Sequence, residues 1–430
     1  MNVDTHAADT LLEPFSINEL PVANRIVMGP MAVLAPDPDG RPSEQTVAFL
    51  SARAKGGAGL IILGGTTGTR RASAEAPVKA VVRLEEERFS PDLERLTGAV
   101  HAHGTSIIAQ LTAGFGTMGK PSDDWPLIAA SPRNVVIRRD QFPRGIPVPA
   151  DRVTAMPREA TIEEIHELQR ELAATASRGQ RVGFDGVEIA AHMSYFLASF
   201  LSSRKNVRSD DYGGSIENRA RVLVDIVRLI REQVGPSFPI GLRLSANEHV
   251  DGGQGPEEYA AIAQVVEREG LDYVALSDGN YESMYRSAPA TDAPAVEHGE
   301  AQVFRAALSC PLIVGSTHDP RRAGQVVADG HADAVMFVRP MIADPEYANK
   351  IRDGRLEEIV RCERDNVCMR RMIMGMPIRC PVNPRMGRES RPPGKHPPIE
   401  RLIKAPIEQA VLTATGSERI MSLVGKVSRK

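Results

Sequence analysis

Short apolar runs alternate along the chain with longer segments whose apolar positions recur every three or four residues. The runs fall at 25–28, 60–63, 106–111, 185–189, 239–244, 272–276, 311–314 and 333–338. Each is nearly continuous in apolar character, as expected of parallel strands covered on both faces. Between them the helical period predicts helices over 43–55, 90–103, 161–182, 217–234, 256–269, 300–307 and 320–328. Thr161-Ile162-Glu163-Glu164 opens the third with a capping box, and Pro256 and Pro320 occupy first-turn positions. Strict alternation of eight β units predicts an α/β fold, a closed (β/α)8 TIM barrel. An open doubly wound sheet is the alternative. It is disfavoured because no Gly-x-Gly-x-x-Gly follows the first strand.

Two stretches break the alternation. Residues 112–157, after the third strand, are proline-rich and hold the only tryptophan, Trp125. A loop of that length at a barrel's active face predicts a lid or substrate wall. Beyond Pro340 the barrel pattern ends. The expected division is therefore a barrel over 1–340, a cysteine-containing extension over 341–390 and a Pro-rich basic tail over 391–430. A helix is expected at 344–352, and short amphipathic helices at 400–412 and 418–424. Residues 385–430 carry ten Lys/Arg against four Asp/Glu. Such a run is a solvated tail or a docking element for a neighbouring subunit or acidic partner.

Composition narrows the class. A net charge of −3 gives no electrostatic reason to expect nucleic acid, and no apolar run reaches membrane-spanning length. Residues 1–10 show no apolar core of a secretion signal. Four cysteines in 430 residues are no disulfide scaffold, so a reducing cytoplasm is expected.

Three of those four cysteines lie together as Cys362-x5-Cys368-x11-Cys380, with Asp365 midway between the first two. Thiols at that density suit a soft-metal or iron–sulfur site, because thiolates are its natural ligands. At the strand ends of the expected barrel stand Gln110, Arg243, Gly315-Ser316-Thr317 and Arg339. A buried amide and guanidinium need partners, and glycine and exposed amides beside an arginine form a phosphate cradle. Together they suggest a phosphorylated aromatic cofactor such as flavin mononucleotide. His192 and Tyr195, three apart at the end of the fourth strand, could each donate a proton, although for His192 taken alone a structural or surface role is the favoured reading. Cys310, at the start of the seventh strand, is expected in the core.

The run Phe200-Leu-Ser-Ser-Arg-Lys-Asn206, then Arg208-Ser-Asp-Asp-Tyr-Gly-Gly-Ser-Ile-Glu-Asn-Arg219, resembles the signature of the Old Yellow Enzyme family of flavin oxidoreductases. The cysteine segment, with Cys380-Pro-Val-Asn-Pro384, is similar to that of its 2,4-dienoyl-CoA reductase and trimethylamine dehydrogenase branch. Similarity covers roughly residues 11–390. The resemblance implies flavin mononucleotide at the barrel mouth. Gly29, Pro30, Met31 and Ala32 would line the ring with Gly64, and Gln110 and Arg243 would meet its pyrimidine edge. Gly315, Ser316 and Arg339 would hold the phosphate. Tyr195 falls on the family's active-site tyrosine.

The chain also departs from the family. The usual His/Asn pair is replaced by Ala190 and Met193 with His192 between them, and Tyr281 stands where the branch has a histidine after strand six. Asp365 replaces a cysteine, leaving three readings: a 4Fe-4S cluster with a carboxylate ligand, a cluster that readily loses an iron, or a site that keeps only its fold. No dinucleotide fingerprint follows Cys380. Electrons are therefore expected from NAD(P)H or from a separate redox protein through the cluster. The resulting expectation is an FMN-dependent ene-reductase acting on a small molecule, with a homo-oligomeric assembly. It would transfer hydride to an activated C=C bond, and Tyr195 would protonate the neighbouring carbon. The alternatives are an amine dehydrogenase or oxidative demethylase, and an inactive barrel serving as a binding subunit.

Overall fold

The computed structural model describes residues 5–33, 35–78, 81–143, 146 and 150–391, with isolated positions between 410 and 420. Eight parallel strands close into a barrel: β1 (Ile26–Met28), β2 (Leu60–Leu63), β3 (Ser106–Leu111), β4 (Gly186–Ala191), β5 (Ile240–Ser245), β6 (Tyr273–Ser277), β7 (Leu312–Val314) and β8 (Ala334–Met336). Each pairs with the next in chain order, and β8 pairs with β1 through Val335↔Ile26 and Met336↔Val27. That last ladder excludes the open sheet. Helices α1 (Glu44–Lys55), α2 (Ser90–His101), α3 (Ile162–Arg181), α4 (Ile216–Val234), α5 (Pro256–Glu267), α6 (Glu300–Ala307), α7 (Pro320–Ala328) and α8 (Tyr347–Arg352) form the outer ring.

Local chemistry sets the boundaries. The capping box of α3 is present in both directions: Glu164 N donates to Thr161 Oγ1 at 3.2 Å, and Thr161 N donates to Glu164 Oε2 at 3.0 Å. The strand expected over 333–338 shortens to Ala334–Met336, because Val338 (φ −88°, ψ −70°) already turns into the short helix Arg339–Ala343. The helix expected from 344 starts at Tyr347. Asp344 precedes Pro345 and is extended (φ −134°, ψ 103°), as a residue before proline prefers.

Two apolar layers result. Inside the barrel, Val27, Leu60, Ile62, Ile108, Tyr273 and Met336 belong to one cluster, which the N-terminal hairpin joins through Ile17 and Val22. Outside it, strand and helix side chains form the larger core. Among the described residues no helix is long and apolar enough to cross a membrane.

The segment after β3 packs on the mouth. Ile128–Ala129 pairs with Arg158–Glu159, and Val136–Ile137 with Arg152–Val153. The Arg71 guanidinium lies 5.2 Å from the Trp125 ring centroid. The signature run 200–219 knits this region together. Asn206 Nδ2 donates to the carbonyls of Phe200 and Tyr212, and Arg208 Nη1 to those of Ala130 and Ala160.

Residues 341–391 lie against the barrel. Arg53, fully buried on α1, donates to Glu389 Oε1 at 2.7 Å and to the carbonyl of Met341 at 3.0 Å. The amide of Asn383 donates to the carbonyl of Ile342. The helices expected at 400–412 and 418–424 fall almost wholly outside the described residues, as does the basic tail.

Candidate active site at the barrel mouth

Register places a polar layer inside an otherwise apolar barrel. Glu188 on β4 stands opposite Gln110 on β3, and Ala190 opposite Arg243 on β5. Gln110 Nε2 donates to Glu188 Oε1 at 2.7 Å, and the Tyr273 hydroxyl donates to Glu188 Oε2 at 3.2 Å. Burial raises the Glu188 pKa, an effect opposed by Arg243, Gln110 and Tyr273. Burial likewise lowers that of Arg243, opposed by Glu188 and then Tyr273. Glu188 is fully buried and holds the layer together, yet the sequence reading gave it no role. The available signal was a carboxylate within an apolar strand run.

The loop after β1 carries Gly29, Pro30, Met31 and Ala32 over the end of β2. This close approach requires glycine at 64, where a Cβ would lie 2.5 Å from Met31 N. A narrow pocket lies behind this loop, lined by Gly29, Met31, Phe49, Gly64 and Val82. Its lining includes neither Gln110 nor Arg243.

The expected proton donors come together. The hydroxyls of Tyr195 and Tyr281 lie 3.2 Å apart, although the residues are 86 apart in sequence. Phe115 packs edge-on against Tyr195 with ring centroids 5.2 Å apart, and His192 does so at 5.6 Å. Burial, then the Tyr281 hydroxyl, holds the Tyr195 phenol well above its ordinary pKa. Burial also raises that of Tyr281. Burial and Arg243 hold His192 well below 6.5, so its imidazole is neutral. Phe115 was not anticipated. It is held by Glu75, which accepts from the Phe115 N–H and lies beside Arg71.

The phosphate end is less regular. Ser316 adopts φ +67°, and the buried Thr317 Oγ1 has no hydrogen-bond partner. Arg339 turns toward the cysteine segment, donating to Asn366 Oδ1 at 3.0 Å and to the carbonyl of Pro289 at 3.2 Å. His318 lies close by, its pKa lowered to about 2 by burial and by Arg339 and Arg364.

These residues can be tested against a phosphorylated flavin. Arg243 Nε and His192 Nδ1 are enclosed and unpartnered, as is Thr317 Oγ1. Unsatisfied polar atoms at both the ring end and the phosphate loop are what such a ligand would satisfy, so the residues fit it. One side chain stands in the way. The thioether of Met336 lies 2.7 Å from Arg243 Nη1 and packs between Gly29 and Gly315. An occupant reaching Arg243 must displace it.

Cys362, Asp365, Cys368 and Cys380 line one narrow pocket, together with Arg339 and Asn366. All three cysteines are free thiols. Among the described residues no three of these four bring ligand atoms within 4.8 Å of one another. Burial pushes the Cys368 thiol up to about 12, and burial also raises Cys380. Cys310 is half-buried and packs against the outer core.

The chain is thus a closed (β/α)8 barrel with a polar ligand site at the carboxyl ends of its strands. The chain belongs to the NADH:flavin oxidoreductase / NADH oxidase family, whose model matches residues 10–358. It is 34% identical over 413 residues to an NADH oxidase of Thermoanaerobacter brockii, covering 93% of this chain and 58% of that protein. A 2-naphthoyl-CoA reductase, solved in complex with 2-naphthoyl-CoA, superposes with TM-score 0.78 and 28% identity over 90% of this chain and 58% of that one. Histamine dehydrogenase from Rhizobium sp. 4-9 superposes with TM-score 0.76 and 25% identity over 89% and 53%. The chain thus spans a little over half the length of these relatives.

Proposed function

We propose that the chain is an FMN-dependent reductase of alkenes conjugated to a carbonyl. The observation that carries this reading is the partly buried Tyr195–Tyr281 hydroxyl pair at 3.2 Å beside a neutral His192. Gln110 and Arg243 would hold the pyrimidine edge of the flavin. Gly29, Pro30, Met31, Ala32 and Gly64 would flank its ring, and Gly315, Ser316 and Arg339 its phosphate. Bound there, the flavin supplies a two-electron hydride carrier.

The protein's own part is proton placement. With the Tyr281 hydroxyl donating to Tyr195 Oη, the Tyr195 proton is left free for the substrate. Both phenols stay protonated at neutral pH, so the pair acts as an acid, and Tyr195 Oη is the group that gives up a proton to carbon. On that side Phe115 packs edge-on against the Tyr195 ring.

The test uses the full chain reconstituted with FMN, reduced by NADH and offered 2-cyclohexenone. Tyr195→Phe is expected to lower turnover by about 10²-fold or more while flavin content stays unchanged. Unchanged turnover would remove Tyr195 from the mechanism, and a protein that takes up no flavin would sink the reading altogether.

Cys362, Asp365, Cys368 and Cys380 are read as ligands of an iron–sulfur cluster, fed by NAD(P)H through the flavin or by a separate redox protein. Iron and sulfide counts on anaerobically purified protein test this, and Asp365→Cys is expected to raise the iron content. A second reading, amine dehydrogenation, is favoured by the aromatic wall of Phe115, Tyr195 and Tyr281, which suits an alkylammonium ion. Flavin bleaching by an amine without NADH would select it.

A further inference from the structure

Away from the thiols, three side chains from separate elements converge behind the loop that carries Tyr281. His249 lies in the loop after β5, Asp278 just after β6, and Glu300 opens α6. His249 Nε2 lies 2.6 Å from Asp278 Oδ1 and 3.7 Å from Glu300 Oε1. One ligand atom from each residue falls within 4.8 Å of the other two.

An ordinary histidine–aspartate hydrogen bond leaves two atoms unexplained. Asp278 Oδ2 and Glu300 Oε2 are both buried without a hydrogen-bond partner, on side chains that are each 4% exposed. Among the described residues neither carboxylate has a lysine or arginine within 4.0 Å. Buried carboxylate oxygens normally have partners, and each one left bare costs about 1–3 kcal/mol or more. A cation shared by both carboxylates and the imidazole would satisfy all of these groups at once.

We propose that His249, Asp278 and Glu300 bind one first-row divalent cation of the Zn2+ or Mn2+ class. One imidazole nitrogen and two carboxylate oxygens are the donor set such ions accept, whereas Ca2+ and Mg2+ sites are built from oxygen donors. The spacing agrees. A tetrahedral ion with bonds near 2.0–2.1 Å holds its ligand atoms about 3.3 Å apart, between the two His249 distances. The ion takes the place of the proton between His249 Nε2 and Asp278, and three protein ligands leave one position open. It ties the β5 loop to the β6 loop and to α6. Ser287 Oγ extends the link by donating to the carbonyl of Asp278 at 2.8 Å and contacting Met193 Sδ at 3.4 Å. The ion therefore positions the loop that presents Tyr281 to Tyr195.

The test is Zn2+ binding to the metal-stripped full chain, counted by elemental analysis beside thermal melting. The double variant Asp278→Asn/Glu300→Gln is expected to bind one equivalent fewer than wild type and to lose part of the Zn2+-induced rise in Tm. Cys362→Ser/Cys368→Ser is expected to keep that equivalent. Equal stoichiometry in wild type and the carboxylate variant, or no binding by the cysteine variant, overturns the proposal. A check on unmutated protein uses Co2+. One bound equivalent is expected to lack the thiolate-to-metal charge-transfer band. If all bound Co2+ carries that band, the site does not exist.

Discussion

Two polar sites share the mouth of this barrel and are built in opposite ways. Gln110, Glu188, Arg243 and Tyr273 hang from four adjacent strands, each placed by the register of its neighbours. The thiols hang from chain with little regular structure. Arg364 and Asn366 both take left-handed backbone (φ +56° and +57°) before a single short helix, Val367–Ile373. The strand site is held by ladders that any one side chain can leave intact. The thiol site depends on individual ties, chiefly Arg339 to Asn366 and Arg364 to Asp292. A side-chain deletion should therefore cost energy in the first and geometry in the second.

Three outcomes would sharpen or break this contrast. The largest is expected for Glu188→Ala. It strips Gln110 and Tyr273 of their charged acceptor and removes the carboxylate that offsets the Arg243 charge, at a cost of about 3–5 kcal/mol. Denaturant midpoints should show this loss with the m value unchanged. A loss under 1 kcal/mol would mean that the strand layer relaxes as freely as a loop.

The next concerns Glu75 beneath Phe115. Burial raises its pKa from 4.5 to about 7. Between those values the folded chain keeps a proton that the unfolded chain releases, so stability falls as pH rises through the window and levels off above about 7. The full effect is about 3 kcal/mol at 1.36 kcal/mol per unit. Melting curves across the window should show this slope, and Glu75→Gln should flatten it.

The smallest is expected for Asn366→Gly, which keeps the left-handed backbone but loses the bond to Arg339. It should cost about 1 kcal/mol while speeding the labelling of Cys362 and Cys368 by thiol reagents. Unchanged labelling would show that the segment holds its shape without Arg339.

The two sites also differ in how much of them could be read from the chain. Parallel strands covered on both faces leave unbroken apolar runs, which is why all eight strands could be located to within a residue or two. Gln110 and Arg243 stood out as polar breaks in such runs. Glu188 was an equally plain break, but only register revealed that it accepts from Gln110 and Tyr273. Met336 left no trace, since an apolar side chain in an apolar strand gives no hint that it lies on a guanidinium. The Tyr195–Tyr281 contact depends on the β4 and β6 ends meeting across the mouth, and convergence of His249, Asp278 and Glu300 likewise needs three loops in place. Spacing alone grouped the thiols, because they are neighbours in sequence. Their tie to Arg339 is tertiary and was not foreseen.

The clamp between Arg53 and Glu389 has a consequence for the order of assembly. It joins residues 336 apart, so it closes one of the longest loops in the molecule. Contacts of such separation form late, after the local βα units have paired. During synthesis Glu389 emerges only once every barrel strand has left the ribosome. The segment that carries the thiols is therefore fixed in place only against a nearly finished barrel.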